Sequence, residues 1–292
     1  MIPIIWHHAD SWWDCALPKY LLRGATNDSI VSFIGLHWAE GIKEPVGVIV
    51  IPGRHSCNDY AELNKASRSF EKVVWIIIGD EEGIFHSAEL NHPDQIIWWL
   101  MPPFHIQERR FDRVGPNGWP EGCLELLGEI GPQRRIYDWS FAGQLTHIRR
   151  VMCVDALQVE SHRPHFLLPT AGFTQGLPRR EYYEIMARSK LVLCPSGPCT
   201  PDSFRFAEAL EAGCIPIVDD HIQHAWYPPG YWKFVCGELL PFPIISDWQE
   251  LPVVMEFWLK DWERKRNVCQ RWWNAVKSIW INKLKEDLCA KK

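Results

Sequence analysis

Several hallmarks of common protein classes are missing from this sequence of 292 residues. It holds no run of about 18 apolar residues, so no transmembrane helix is expected. Its ten cysteines form no Cys-x-x-Cys pair, which argues against a zinc ribbon or a thioredoxin motif. It has no Gly-x-Gly-x-x-Gly after the first strand and no Gly-x-x-x-x-Gly-Lys-Ser/Thr loop, which argues against a dehydrogenase or a P-loop kinase.

Positive charge is also scarce, because 31 basic residues stand against 36 acidic ones and the net charge is −5. That balance disfavours a general nucleic-acid-binding protein. Hydrophobic residues make up 47% of the chain, which predicts a folded core large enough for two domains. Several cysteines lie inside apolar runs and the first residues do not form a signal peptide, so we expect a cytoplasmic protein with no membrane span.

The most informative stretch runs from Ser189 to Asp220. The apolar run from Lys190 to Cys194 predicts a buried strand, and a loop of small residues follows it. A helix is expected from Ser203 to Ala212, and Cys214 to Val218 predicts a second strand. Such a βαβ unit binds ligands beyond the carboxyl ends of its strands, where a helix N-terminus attracts phosphate.

Two charged side chains of this helix suit a nucleotide. Arg205 lies in the first turn, where a planar cation can bind a diphosphate. Glu208, one turn later, can accept hydrogen bonds from two ribose hydroxyls. The alternative is a surface ion pair at i, i+3 spacing, which contributes only a few tenths of a kcal/mol.

The same stretch contains Cys-Pro-Ser-Gly, then Ser-Phe-Arg-Phe-Ala-Glu-Ala, then Ala-Gly-Cys-Ile-Pro-Ile-Val. From Arg188 to Asp220 this order resembles the C-terminal half of the exostosin-like glycosyltransferases. A weaker match at Tyr137 to Arg150 resembles the family's Phe-x-Gly segment followed by arginine. The resemblance implies an α/β fold of the GT-B type, with two Rossmann-like lobes, a cleft between them and C-terminal helices crossing back. A chain without an anchor resembles a bacterial or virus-encoded version.

The resemblance also implies roles for individual residues. Ser203 and Arg205 would hold the diphosphate, Glu208 the ribose, and Arg149 or Arg150 would approach the phosphates from across the cleft. From their position, backbone groups near Leu193 to Ser196 are expected to hold the base of the nucleotide together with Phe173. The full set expected at the donor site is Arg149, Arg150, Cys194, Pro195, Ser196, Ser203, Phe204, Arg205 and Glu208.

A Gly- and Pro-rich segment from Arg113 to Pro132 is expected to be irregular and to separate two lobes. We expect an acceptor-binding lobe at 1–132, a nucleotide-sugar-binding lobe at 133–251 and helices packing across both lobes at 252–292. Apolar runs predict strands at Val46–Ile51, Val73–Ile78, Ile96–Met101, Ile136–Phe141, His165–Leu168 and Lys233–Cys236. Helices are expected at Gln144–Val159 and Pro178–Arg188.

Inverting sugar transfer needs a base that takes the proton of the acceptor hydroxyl. Asp80 is the first candidate because it follows a predicted strand, with Glu82 and Asp59 as substitutes. His7 and His8 follow the first apolar run. Each carboxylate has an alternative reading as a turn former or helix cap.

Seventeen tryptophans offer flat apolar faces on which sugars stack. The acceptor-binding candidates are Trp12, Trp13, His7 and His8, and further tryptophans expected near loops or strand ends are Trp98, Trp99, Trp226 and Trp232. The alternative is that most of them fill the core.

A metal is not expected, since the chain has no Asp-x-Asp and only Asp219-Asp220 can mimic one. The function predicted is metal-independent, inverting transfer from a nucleotide sugar to a glycan or glycoprotein hydroxyl. UDP-sugars are favoured over GDP-sugars, and no further cofactor is expected. The alternative is a non-catalytic carbohydrate-binding protein on a decayed transferase fold.

Overall fold

The computed structural model describes residues 1–7, 15–53, 59–80, 83–103, 110–172, 175–197, 199–220 and 229–289. The chain divides into two compact units. The first consists of Met1–Glu121 with Ala275–Lys292, and the second of Gly122–Asn274. Each unit is built around one parallel β-sheet, so the expected α/β class with two Rossmann-like units is confirmed.

The sheet of the first unit has six parallel strands in the order β2-β1-β3-β4-β5-β6. The two central strands, β3 and β4, are buried along their whole length, as their continuous apolar runs predict. Trp75 of β4 and Trp99 of the next strand join the hydrophobic core on one face of the sheet. The strands are β1 (Ile2–Trp6), β2 (Ile30–Ile34), β3 (Val46–Pro52), β4 (Lys72–Ile78), β5 (Gln95–Leu100) and β6 (Arg113–Gly115).

Two helices cover this sheet along with the end of the chain. Helix α1 (Ala16–Thr26) buries Leu17, Leu21 and Leu22, and ends at Asn27 in the left-handed conformation. Helix α2 (Tyr60–Ser67) begins after Asp59 at the carboxyl side of β3.

The sheet of the second unit has five parallel strands in the order β11-β10-β9-β7-β8. They are β7 (Tyr137–Gln144), β8 (His165–Thr170), β9 (Ser189–Cys194), β10 (Ile215–Asp219) and β11 (Ile244–Ile245). The helices that follow the chain through this unit are α3 (Cys123–Ile130), α4 (Ile148–Leu157), α5 (Arg179–Ala187), α6 (Phe204–Glu211), α7 (Tyr231–Cys236) and α8 (Leu251–Leu259).

The long last helix, α9 (Trp262–Asp287), continues from the second unit into the first, which gains its residues from Ala275 onward. In the first unit, Trp98 Nε1 donates to Asp287 Oδ2 at 2.9 Å and Arg113 Nη2 donates to Asp287 Oδ1 at 3.1 Å. Asp287 therefore ties the end of α9 to strands β5 and β6.

Three local expectations were wrong. Lys233–Cys236 is part of helix α7 and not a strand, because Tyr231, Trp232 and Val235 are buried on one helical face between two glycines. The segment from Arg113 to Pro132 is not irregular throughout, since it contains β6 and α3. The helix expected from Gln144 begins only at Ile148, because β7 extends to Gln144. Among the described residues, no helix combines the length and apolar character needed to cross a membrane.

Both sheets contain a point at which successive strands are added on opposite sides. In the first sheet it lies between β1 and β3, and in the second between β7 and β9. Open parallel sheets bind ligands at such switch points, outside the carboxyl ends of the strands. The residues that follow these four strands are therefore the first place to look for function.

Candidate functional site

Arg205 lies at the switch point of the second sheet, in the first turn of α6. Its Nη2 donates to the carbonyl oxygen of Ala142 in β7 at 2.9 Å, and its guanidinium lies 4.9 Å from the ring centroid of Phe141. A Cβ atom at Gly143 would overlap this guanidinium. The Phe-Ala-Gly segment of β7 thus contacts Arg205 through the Phe141 ring and the Ala142 carbonyl, and Gly143 leaves room for the guanidinium.

The remaining donors of Arg205 form no well-directed hydrogen bond in the described part of the chain, although Tyr182 interacts with the guanidinium. Its Nε and Nη1 are both buried. An unpaired buried donor costs about 1–3 kcal/mol, and more when it is charged. A fold retains such a cost where a ligand satisfies the donors.

Two hydroxyls in the loop before α6 share this property. Ser203 is the N-cap residue, yet its side chain caps no backbone N–H, and its buried Oγ has no partner among the described residues. Thr200 is fully buried and its Oγ1 is likewise unpaired within the described ranges. Together with the N–H groups at the start of α6, these donors suit an anion with several oxygens.

Helix α4 brings a second set of groups to the same switch point. Arg150 donates through Nη1 to the oxygen of Gln144 at 3.2 Å and through Nε to that of Ser196 at 3.3 Å. Arg149 donates through Nη2 to the oxygen of Gly197. The two arginines therefore fasten the loop after β9 to the end of β7. Both belong to the second unit, so the expectation that they approach from the opposite side is wrong.

His147, the N-cap residue of α4, was missed by the sequence analysis. Both of its ring nitrogens are buried and form no well-directed hydrogen bond among the described residues, although the backbone of Ser196 interacts with the ring. Burial, followed by the charges of Arg150 and Arg149, lowers the pKa of His147 to about 4. The imidazole is therefore neutral at pH 7 and offers one donor and one acceptor without adding charge.

Glu208 is nearly buried, with 6% of its surface exposed, so the alternative of a surface ion pair with Arg205 does not fit. Its Oε1 accepts a bond from the hydroxyl of Tyr183 at 2.8 Å, and its Oε2 from that of Tyr182 at 3.0 Å. Burial raises the pKa of Glu208, and the two tyrosine bonds and the charge of Arg205 oppose this rise. Its predicted contact with a ribose stays a prediction.

The loop after β9 is held by Asp219, at the end of β10. Asp219 Oδ1 accepts from the backbone N of Ser196 at 2.9 Å and from its hydroxyl, and Oδ2 accepts from Trp248 Nε1 at 3.0 Å. Burial raises the pKa of Asp219 to about 6, against these hydrogen bonds. Asp220 accepts from the backbone N atoms of Gly230 and Tyr231, so both carboxylates of this pair already serve the fold.

The other expected donor-site residues support the loop rather than offer side chains. Cys194 ends β9 with 1% of its surface exposed, and burial raises the pKa of its thiol. Pro195 and Ser196 continue the buried loop, and Phe204 opens α6. Phe173 lies outside the described residues.

In the first unit, Asp80 follows β4 with a fully buried side chain. Its Oδ1 accepts from the backbone N of Ile84 at 2.8 Å, and its Oδ2 accepts from that of Phe85 at 3.2 Å. Asp80 thus holds the turn after β4, the alternative reading noted above. Its role as a base stays a prediction, and Glu82 lies outside the described residues.

Asp59 and His7 meet at the switch point of the first sheet. His7 follows β1 and Asp59 follows β3, and Asp59 Oδ2 lies 3.4 Å from His7 Nε2. The Asp59 side chain is 38% exposed, whereas that of His7 is 5% exposed. Of the carboxylates considered as a base, Asp59 is the accessible one in the described ranges.

Three of the six tryptophans expected to bind an acceptor do not lie at a surface. Trp98, Trp99 and Trp232 are at most 1% exposed, so the expectation that they stack on a sugar is wrong. They fill the interior, as the alternative reading held. The remaining acceptor candidates, Trp12, Trp13, His8 and Trp226, lie outside the described residues.

Metal binding has no candidate cluster in the described ranges, where no three His, Cys, Asp or Glu side chains are grouped to hold an ion. The donor set at the second switch point consists instead of guanidinium, hydroxyl, imidazole and backbone N–H groups. That set fits an anion.

Comparison with known proteins finds similar proteins of one family. The family model described as the RXYLT1 C-terminal domain matches residues 174–290. Ribitol-5-phosphate xylosyltransferase 1 of Homo sapiens is 24% identical over 254 residues, which cover 80% of this chain and 52% of that protein. The Danio rerio protein of the same name is 32% identical over 80 residues, covering 26% of this chain and 18% of that protein.

The chain thus spans about half the length of the human relative. Among solved structures, Anabaena Alr3699/HepE in complex with UDP and glucose aligns with a TM-score of 0.49 and 11% identity over 99% of both chains. Its complex with UDP-glucose aligns with a TM-score of 0.48 and 12% identity over 98% of both chains. The bacterial or virus-encoded origin has no support among these relatives. The resemblance that the motifs indicate is confirmed: residues 174–290 are similar to the RXYLT1 C-terminal domain, and the matched relatives are exostosin-like glycosyltransferases.

Proposed function

We propose that this protein is an inverting glycosyltransferase that moves a sugar from a nucleoside-diphosphate sugar to a hydroxyl of a glycan or glycoprotein. A UDP-sugar is the favoured donor, and a GDP-sugar the next. One observation carries the proposal: the buried Nε and Nη1 of Arg205 form no well-directed hydrogen bond in the described chain, at the switch point of the second sheet. A diphosphate supplies the acceptor oxygens that these donors need.

The donor would lie across the carboxyl ends of β7 and β9. Its diphosphate would accept bonds from Arg205, the Ser203 hydroxyl and the first N–H groups of α6, while His147 adds a neutral contact. As the bond to the sugar breaks, negative charge grows on the leaving diphosphate, and these preorganised donors stabilise it. We thus propose that protein donors, and not a metal ion, stabilise the charge of the leaving diphosphate. Retention of activity in excess chelator tests this.

The base is proposed to be Asp59, with His7 beside it. An inverting transfer needs a group that takes the acceptor proton as the hydroxyl attacks, and such groups contribute about 10²- to 10⁴-fold to the rate. Asp59 is accessible and lies at a switch point, whereas Asp80 is buried and bound to two backbone N–H groups. The structure thus favours Asp59 over Asp80, which the sequence ranked first.

The names of the relatives suggest the substrates to try first. Because two relatives are ribitol-5-phosphate xylosyltransferases, xylose is the first sugar to test, and a glycan carrying ribitol 5-phosphate the first acceptor. Donors with other sugars and with guanine as the base complete the panel.

The test is release of nucleoside diphosphate from this donor panel, with and without acceptor. We expect turnover with at least one UDP-sugar, a loss of about 10²-fold or more in kcat for Asp59→Asn, and near-normal kcat per folded molecule for Asp80→Asn. Glycan binding without turnover of any donor would instead favour the non-catalytic carbohydrate-binding alternative. The reverse result for the two variants would restore Asp80 as the base.

A further inference from the structure

Glu208 receives a hydrogen bond from a tyrosine hydroxyl on each of its two carboxylate oxygens. The two tyrosines are neighbours in α5, and their ring centroids lie 5.3 Å apart. Successive helix residues project about 100° apart, so two adjacent side chains meet at one carboxylate only when it lies between them. This convergence fixes both the position and the plane of the carboxylate.

The two hydroxyls act as donors throughout the physiological range, since burial raises the pKa of both Tyr182 and Tyr183. An ionised carboxylate offers about four acceptor positions. Within the described chain, the two tyrosines are the donors that reach Glu208, so each oxygen keeps a further lone pair. Two lone pairs held in one plane match the two adjacent hydroxyls of a ribose.

We propose that Tyr182 and Tyr183 are positioning residues that hold the Glu208 carboxylate in the orientation that recognises the ribose of the nucleotide. They act through Glu208, without a contact of their own to the donor. The inference rests on the proposed function, since it takes the nucleotide to be bound at α6. It gives the tyrosines a role in telling a ribonucleotide from a nucleotide that lacks its ribose hydroxyls.

The test is a pair of dissociation constants, for UDP and for 2′,3′-dideoxy-UDP, measured by calorimetry on the full chain. The ratio isolates the ribose contact, because a general distortion of the site weakens both ligands alike. For the wild type we expect UDP to bind at least about tenfold more tightly, the size of one charge-assisted hydrogen bond. For Tyr182→Phe we expect that preference to fall to about threefold or less.

Three further variants complete the design. Glu208→Ala should abolish the preference, and Tyr183→Phe should reduce it. Tyr137→Phe, a matched change in strand β7, should keep it. Because Tyr183 is buried and its loss threatens folding, Tyr182→Phe, at a partly exposed position, carries the test.

The outcomes separate this inference from the proposed function. If the wild type prefers UDP over dideoxy-UDP and Tyr182→Phe shows the same preference, the positioning role alone is overturned. A wild type that binds UDP and dideoxy-UDP equally overturns the ribose contact and with it the role of the tyrosines. Failure of the wild type to bind any nucleoside diphosphate overturns both proposals.

Discussion

The carboxyl edges of the two sheets carry charged side chains in different states. In the second unit, Arg205 keeps two buried donors that form no well-directed hydrogen bond in the described chain, and Ser203 and His147 share this state. In the first unit, the buried carboxylate of Asp80 accepts from two backbone N–H groups. A buried charged group whose hydrogen bonds are all made within the protein stabilises the fold. One that keeps unsatisfied donors or acceptors points to a ligand.

The largest effect is expected at Arg205. Replacing Arg205 by alanine removes the charge and both unpaired donors, so the dissociation constant of UDP should rise by about 100-fold or more. Calorimetric titration measures this directly. The matched control is Arg180→Ala, an exposed arginine of the same unit that pairs with Glu129, which should bind UDP as the wild type does. Equal affinities in the two variants would remove the contrast between the edges.

Replacement of Asp80 should change the stability of the protein instead. Asp80→Ala leaves the N–H groups of Ile84 and Phe85 without their acceptor, which should lower the free energy of unfolding by about 3 kcal/mol. Chemical denaturation measures it. Asp80→Asn, which keeps one acceptor oxygen, should lose less, and the exposed Glu44→Ala should change stability by less than about 0.5 kcal/mol. A variant as stable as the wild type would show that Asp80 is free for another task.

Asp219 offers a third case, a filled carboxylate beside the open donors. Its pKa is raised from 3.8 to about 6 by burial. Between these values the native state holds a proton that the unfolded state has released, so this group makes stability fall as pH rises from about 4 to 6. The total is at most roughly 3 kcal/mol. Asp219→Asn should remove this slope from unfolding curves recorded across the window, and identical slopes would contradict it.

The smallest effect tests the fit around Arg205. Gly143→Ala places a methyl group where the guanidinium lies, and should weaken UDP binding by about tenfold as Arg205 shifts. Gly128→Ala is the matched control, because Gly128 is exposed in helix α3 with open space around it. That change should stabilise the protein by about 0.5–1 kcal/mol and leave binding unchanged. Similar binding in both variants would show that Arg205 does not depend on this space.

The sequence predicted the carboxyl edge of the second unit's sheet better than that of the first unit's sheet. The strand from Lys190 to Cys194, the helix carrying Arg205 and Glu208 and the following strand all lie in one motif, where order along the chain sets position in space. Asp80 was correctly placed after a strand, but its bonds to Ile84 and Phe85 depend on a turn whose path no local pattern dictates.

Contacts between distant elements were beyond sequence reasoning. Tyr182 of α5 reaches Glu208 of α6 only in the folded chain, and a separation of 26 residues carries no periodic signal. His147 fell inside the helix expected at Gln144–Val159 and was not singled out, because its surroundings become visible only in the fold. One local signal was available: the strand residues Phe141 and Gly143 matched a family segment, and the structure shows that they make room for Arg205.

The most direct measurement is calorimetric titration of UDP into the wild-type protein, with inorganic pyrophosphate as competitor and uridine as the nucleoside control. If the open donors of the second unit serve a diphosphate, UDP binds at one site per chain, pyrophosphate displaces it, and uridine gives no measurable binding. Absence of binding by both UDP and pyrophosphate at millimolar concentration would contradict this account.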